Sequence, residues 1–118
     1  MKLIEHFIGG KKYSGDSTIK SKVFDPATGE QSAEVKLGTT HDVNNAVENA
    51  KKAFESWSNT PPLQRARVMF KFKELIEKNS DELTKIIVSE HGKVYDDAKG
   101  SLTRGLEVVE YAWYTSNA

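Results

Sequence analysis

The chain has 118 residues, room for one small domain that buries roughly two thirds of the surface its unfolded form exposes. Hydrophobic residues at 37% and charged residues at 29% describe a folded chain and exclude a disordered one. Lys and Arg number 17 and so do Asp and Glu, and this zero net charge excludes a basic footprint for nucleic acid or an anionic membrane.

Cysteine is absent, so disulfides, thiolate zinc sites and a cysteine nucleophile are excluded within these residues. The opening Met1-Lys2-Leu3-Ile4-Glu5-His6 lacks an apolar run of signal-peptide length. No later stretch is long enough for a bilayer. A cytoplasmic or organelle-matrix protein is the expectation.

Strands and turns are expected first. Phe7-Ile8 and Lys12-Tyr13 flank Gly9-Gly10, and a Gly-Gly pair favours a tight hairpin because both positions accept positive φ. Lys22-Val23-Phe24-Asp25 leads into Pro26-Ala27-Thr28-Gly29, a turn in which proline presets φ and glycine closes. From Gln31 to Leu37 a loose alternation puts Ala33, Val35 and Leu37 on one face of a strand.

From Thr39 the period becomes helical. Thr39 or Thr40 can cap a first helix with Asp42 in its first turn. Val43, Ala46, Val47, Ala50, Phe54 and Trp57 then form one apolar stripe. Ser58-Asn59-Thr60-Pro61-Pro62 breaks it, and a proline starts a second helix, about 62–79. That helix is apolar over a wide arc, which predicts more than one packing neighbour. Its Met69, Phe70 and Phe72, like Phe54 and Trp57, read as core.

Ser80 is the expected cap of a third helix with Leu83, Ile86 and Ile87 on its buried side. Gly92 can close it in a left-handed conformation, and His91 there suits the helix dipole better than a ligand or catalytic role. A fourth helix starts at Val94 or Tyr95 and runs to Trp113, with Ala98, Leu102, Leu106 and Val109 along one stripe. The final Trp113-Tyr114-Thr115-Ser116-Asn117-Ala118 offers no helix stop, which reads as an interrupted fold. The expected class is α+β and mainly helical. One truncated domain, 1–118, divides into short antiparallel strands (1–38) and about four helices (39–118).

No chemical motif stands out by spacing. Gly-x-Gly-x-x-Gly, the phosphate-binding P-loop and His-Glu-x-x-His are all missing. Glu90-His91 lacks a second ligand at helical spacing, and the adjacent Asp96 and Asp97 point about 100° apart on a helix. Arg104 is the one local feature of note, with Gly105 after it and Gly100 four residues before. An interior helical glycine costs about 1 kcal/mol relative to alanine, so two so close need a reason. Helical side chains lean toward the N-terminus, laying Arg104 over Gly100 and Ser101, where the cleared space could admit a carboxylate. The simpler reading is a surface pair with Glu107 and glycines that allow close helix packing.

Phe7-Ile8-Gly9-Gly10-Lys11, Phe24-Asp25-Pro26-Ala27-Thr28-Gly29-Glu30, and Ala46-Val47 followed by Ala53-Phe54-Glu55-Ser56-Trp57 together resemble the start of the aldehyde dehydrogenase superfamily. Arg65 to Ile76, Glu90-His91-Gly92-Lys93 and Arg104 to Ala112 are similar to its methylmalonate-semialdehyde branch. The resemblance implies a partial cofactor-domain fold and an enzyme that oxidises a semialdehyde with NAD. It would form a cysteine thioester, lose carbon dioxide and pass the acyl group to coenzyme A. It also implies that Arg104 holds the substrate carboxylate, which favours the cleared-turn reading over the surface pair.

By the same resemblance the family's nucleophilic cysteine, general-base glutamate, oxyanion asparagine and dinucleotide-binding strands have no counterpart in these residues. The chain is therefore expected to be an N-terminal segment that neither catalyses nor binds NAD or coenzyme A alone. A sibling aldehyde dehydrogenase and a stand-alone helical module without catalysis are the alternatives. Its partners would be a second copy or the remainder of the dehydrogenase, since large apolar patches drive association.

Overall fold

The computed structural model describes residues 2–115, with side chains described as far as Ala112. The expectations that fall on Ser116 to Ala118, and on the side chains of Trp113 and Tyr114, lie outside the described residues. Five strands come first: β1 (Lys2–Ile4), β2 (His6–Ile8), β3 (Lys11–Tyr13), β4 (Lys20–Phe24) and β5 (Gln31–Lys36). Four helices follow: α1 (Thr40–Trp57), α2 (Pro62–Lys78), α3 (Ser80–His91) and α4 (Tyr95–Thr115). The α+β, mainly helical class is as the sequence implies. The backbone divides into two units, Met1–Asn59 and Thr60–Ala118.

In the first unit the Gly-Gly pair makes the expected hairpin. β2 and β3 are antiparallel, with Ile8 opposite Lys11, and Gly9 and Gly10 both have positive φ, 62° and 77°. β4 and β5 also pair antiparallel, with a register shift at Val23/Phe24. Their connection is organised by Asp25. Its carboxylate accepts the Ala27 N–H at 2.8 Å, and its carbonyl accepts the N–H of Gly29 at 2.8 Å, where φ is 74°.

The sheet departs from the expectation of antiparallel strands alone. β1 lies parallel to β5, Leu3 opposite Glu34, giving the order β1-β5-β4. Three residues carry too little alternation to be read as a strand. The pairing joins positions about thirty apart, so only the folded chain reveals it. Of the face read on β5, Ala33 is buried while Leu37 lies beyond the strand and is exposed.

In the second unit α4 packs against both α2 and α3. Small residues make these approaches possible: Ala66 and Ala98 are fully buried, as is Thr84, whose hydroxyl donates to the Ser80 carbonyl at 2.7 Å. Gly92 closes α3 in the left-handed conformation as expected. Ser80 is not the cap of α3. Asn79 holds that position without a side-chain cap, because its amide turns back to donate to the Leu75 carbonyl at 2.7 Å.

The α4 stripe of Ala98, Leu102, Leu106 and Val109 is buried or half-buried as expected, whereas much of the apolar surface of α1 and α2 is not core within this chain, contrary to expectation. Phe54 is 65% exposed and Trp57 43%, and Val43, Val47, Phe70, Phe72 and Ile86 are exposed too. Among the described residues the buried apolar side chains are Ala33, Ala66 and Ala98. A helix buries only the face that a neighbour covers, so small residues are enclosed while the large ones are half-buried or exposed. No helix among the described residues is long and apolar enough to cross a membrane.

Candidate functional site

Arg104 lies on the exposed side of α4 and folds back over the preceding turn, as the lean of helical side chains requires. A Cβ built on Gly100 would sit 3.6 Å from Arg104 Nη1, so the bare glycine is what the guanidinium lies on. Arg104 Nη2 donates to Ser101 Oγ at 3.2 Å. The surface pair with Glu107 does not form, and Arg104 has no carboxylate partner among the described residues. A Cβ on Gly105 would meet nothing within 4 Å, so that glycine serves no close helix approach here.

Two further residues belong to this turn, and spacing did not reveal them as such. Lys93 Nζ donates to Ser101 Oγ at 3.0 Å and pairs with Asp97 Oδ2 at 3.2 Å, its side chain only 18% exposed. Lys93 sits before α4 and is turned toward it just after the left-handed Gly92, so eight positions in sequence close to one hydrogen bond. The Gly92 stop signal followed by a basic residue was the available clue. Near the same end, Tyr95 donates to Asp81 at 2.7 Å and Lys85 pairs with Asp81 at 2.6 Å. Lys85 beside it, and then the Tyr95 hydroxyl, hold the Asp81 carboxyl below its ordinary range.

A second polar cluster surrounds Asp42 at the start of α1. Its Oδ2 accepts the Thr39 N–H at 2.7 Å and the Thr39 hydroxyl at 2.8 Å, and its Oδ1 accepts the Asp16 N–H at 3.2 Å. Those bonds, the Thr39 amide first, hold its carboxyl well below the ordinary aspartate range, and Tyr13 adds another. His41 Nδ1 meets Asp16 Oδ2 at 2.6 Å. The donor atoms of Asp16, His41 and Asp42 lie within 4.8 Å of one another. Asp42's oxygens are already occupied by hydrogens, so the cluster reads as a helix cap and not a cation site.

The same cap bears on a dinucleotide. Strand β5 enters α1 through Leu37-Gly38-Thr39, a place where pyrophosphate could in principle meet helix amides. The Thr39 hydroxyl takes the Asp42 N–H at 3.1 Å, the Asp42 carboxylate takes the Thr39 N–H at 2.7 Å, and its charge would repel a phosphate. Among the described residues this junction does not fit NAD.

Residues 13–117 match the family model described as "Aldehyde dehydrogenase family". The chain is 44% identical over 110 residues to malonate-semialdehyde dehydrogenase 2 of Bacillus cereus, covering 93% of this chain and 22% of that protein. It is 42% identical over 110 residues to malonate-semialdehyde dehydrogenase 1 of Geobacillus kaustophilus, with coverage of 93% and 22%. Its fold matches a protein of Sinorhizobium meliloti 1021, assigned as a methylmalonate-semialdehyde dehydrogenase and solved with NAD, at a TM-score of 0.92 and 46% identity. That match covers 96% of this chain and 23% of the other. The chain thus spans less than a quarter of the relatives it matches, and it belongs to the aldehyde dehydrogenase family.

Proposed function

We propose that the chain supplies one part of a cytoplasmic, NAD-dependent and CoA-acylating dehydrogenase of malonate or methylmalonate semialdehyde, and that Arg104 holds the substrate's carboxylate. The observation that carries this reading is the guanidinium over Gly100, free of any carboxylate of its own among the described residues. Its planar fork matches a carboxylate in two parallel hydrogen bonds. The 44% identity to a malonate-semialdehyde dehydrogenase, whose name specifies a substrate with a carboxylate at one end, supports the same assignment.

Oxidation of an aldehyde to a thioester needs a sulfur nucleophile, and these residues include none. A bound NAD would supply the hydride acceptor. This chain's share is binding and orientation: fixing one end of the substrate so that the other meets the reacting groups in a set geometry. The exposed faces carrying Phe54, Trp57 and Phe72 are the proposed contact with the remainder of the dehydrogenase, and in isolation they favour a second copy.

Replacing the matching arginine by leucine in a full-length relative tests the carboxylate role. Turnover of semialdehyde acids is expected to fall while that of an uncharged aldehyde of similar length is retained. Equal turnover of both by the variant and its parent would reject it. For the isolated chain, calorimetry with NAD is expected to give no heat of binding, and a saturable signal would reject the partial-enzyme reading.

A further inference from the structure

The polar groups around Arg104 hold two cations on one neutral oxygen. Ser101 Oγ accepts from Lys93 Nζ at 3.0 Å and from Arg104 Nη2 at 3.2 Å, and it donates to the Asp97 carbonyl at 3.3 Å. A hydroxyl has two lone pairs and one hydrogen, so Ser101 has no capacity left. Both cations share an acceptor that carries no charge, and Asp97 Oδ2, 3.2 Å from Lys93, offsets only one of them.

We infer that Lys93 and Arg104 together form a two-cation site for a carboxylate, with Ser101 Oγ marking the place the ligand's oxygens take. This deepens the carboxylate role proposed above and rests on it. A carboxylate offers Arg104 the charged acceptor it lacks and Lys93 a second one beside Asp97, and such bonds are roughly twice as strong as those to a neutral oxygen. It also relieves the repulsion between two like charges that converge on one atom. Lys93 is prearranged for the task. With its side chain 18% exposed and anchored on Asp97, it loses little further freedom when the ligand arrives. Arg104 is exposed and keeps its remaining N–H groups for the ligand. Ser101 acts as a positioning residue, holding the guanidinium over Gly100 until it is displaced. The ligand class is a short acid whose carboxylate enters this turn and whose other end projects away.

The test uses malonate as the probe and the neutral malonamide as its control, titrated into the 118-residue chain and followed by the Arg104 Nε–Hε NMR resonance. Saturable shifts with malonate and none with malonamide are expected. The variant K93M is expected to bind malonate about fivefold more weakly or worse, and K93R within about twofold of the parent. R104L is expected to lose the site. S101A is expected to move and broaden the Arg104 resonance in the free protein yet leave the malonate-bound position unchanged, with S101T restoring the free one. Amide dispersion in each variant's spectrum checks that it folds.

If K93M binds as the parent does while R104L does not, the two-cation site is wrong and the Arg104 assignment stands. Undiminished binding by R104L removes both. Equal shifts from malonamide, or no saturation by malonate in the parent chain, overturn the inference as well.

Discussion

Thr39 and Asp42 cap each other: the Thr39 N–H donates to Asp42 Oδ2 at 2.7 Å and the Asp42 N–H donates to Thr39 Oγ1 at 3.1 Å. Two otherwise unpaired groups at the start of α1 are thereby satisfied at once. Thr39→Ala is expected to cost about 1 kcal/mol in urea denaturation. Asp42→Asn should cost more, because Asp42 also takes the Asp16 amide and Tyr13.

The pH dependence of that cost follows from the lowered Asp42 pKa. Its contribution is complete above the ordinary aspartate value of about 3.9 and is lost as pH falls through the depressed folded-state value. The stability gap between the parent and Asp42→Asn is therefore expected to be widest near neutrality and to shrink in acid. A gap that stays constant down to the acid end of the denaturation series would contradict the hydrogen-bonding account.

The β2–β3 hairpin gives a paired comparison. Gly10→Ala places a side chain at φ 77° in open space, whereas Gly9→Ala, at φ 62°, puts its Cβ 2.9 Å from Asn49 Oδ1. Asn49 is held in turn by its own bonds to Asn45, at 2.9 and 3.0 Å. The left-handed conformation alone costs about 1–2 kcal/mol. Gly9→Ala is expected to exceed Gly10→Ala in chemical denaturation, and equal costs would show that Asn49 yields freely.

Ala98 has no exposed surface on a helix that packs against two others. Ala98→Leu adds three carbons there and is expected to destabilise by about 1–3 kcal/mol. The Gly105 side of α4 is open and has no such contact to break, so Gly105→Ala should be neutral or stabilising. Melting curves of the two variants separate the faces of one helix.

Exposed Phe54 and Trp57 carry the expectation of association. Light scattering of the parent chain is expected to show mass rising with concentration, and Phe54→Glu with Trp57→Glu should lower it toward that of a monomer. An unchanged monomer across that range in the parent would remove self-association.

Local signals account for what the sequence revealed. The Gly9-Gly10 turn, the Thr39 cap, the Pro62 start and the Gly92 stop are each written in one or two residues with a single physical meaning. Signals that need a distant partner were not legible. The parallel pairing of Leu3 with Glu34 is one, and the meeting of Lys93 with Ser101 is another. The stripe on α1 is a face but not a buried one, because periodicity shows which residues share a side and not whether anything covers it. Arg104 was legible through Gly100, and Ser101 only as a small residue beneath it.

The scarcity of fully enclosed apolar side chains has a calorimetric consequence. Exposure of apolar surface is what gives unfolding its positive heat-capacity change, ordinarily about 12–15 cal/mol/K per residue. With Ala33, Ala66 and Ala98 as the fully enclosed apolar side chains among the described residues, melting uncovers less apolar surface than the unfolding of a fully packed domain would. The separated chain should show a shallow, broad endotherm with a small step in baseline. That step should grow if a binding partner covers the aromatic faces.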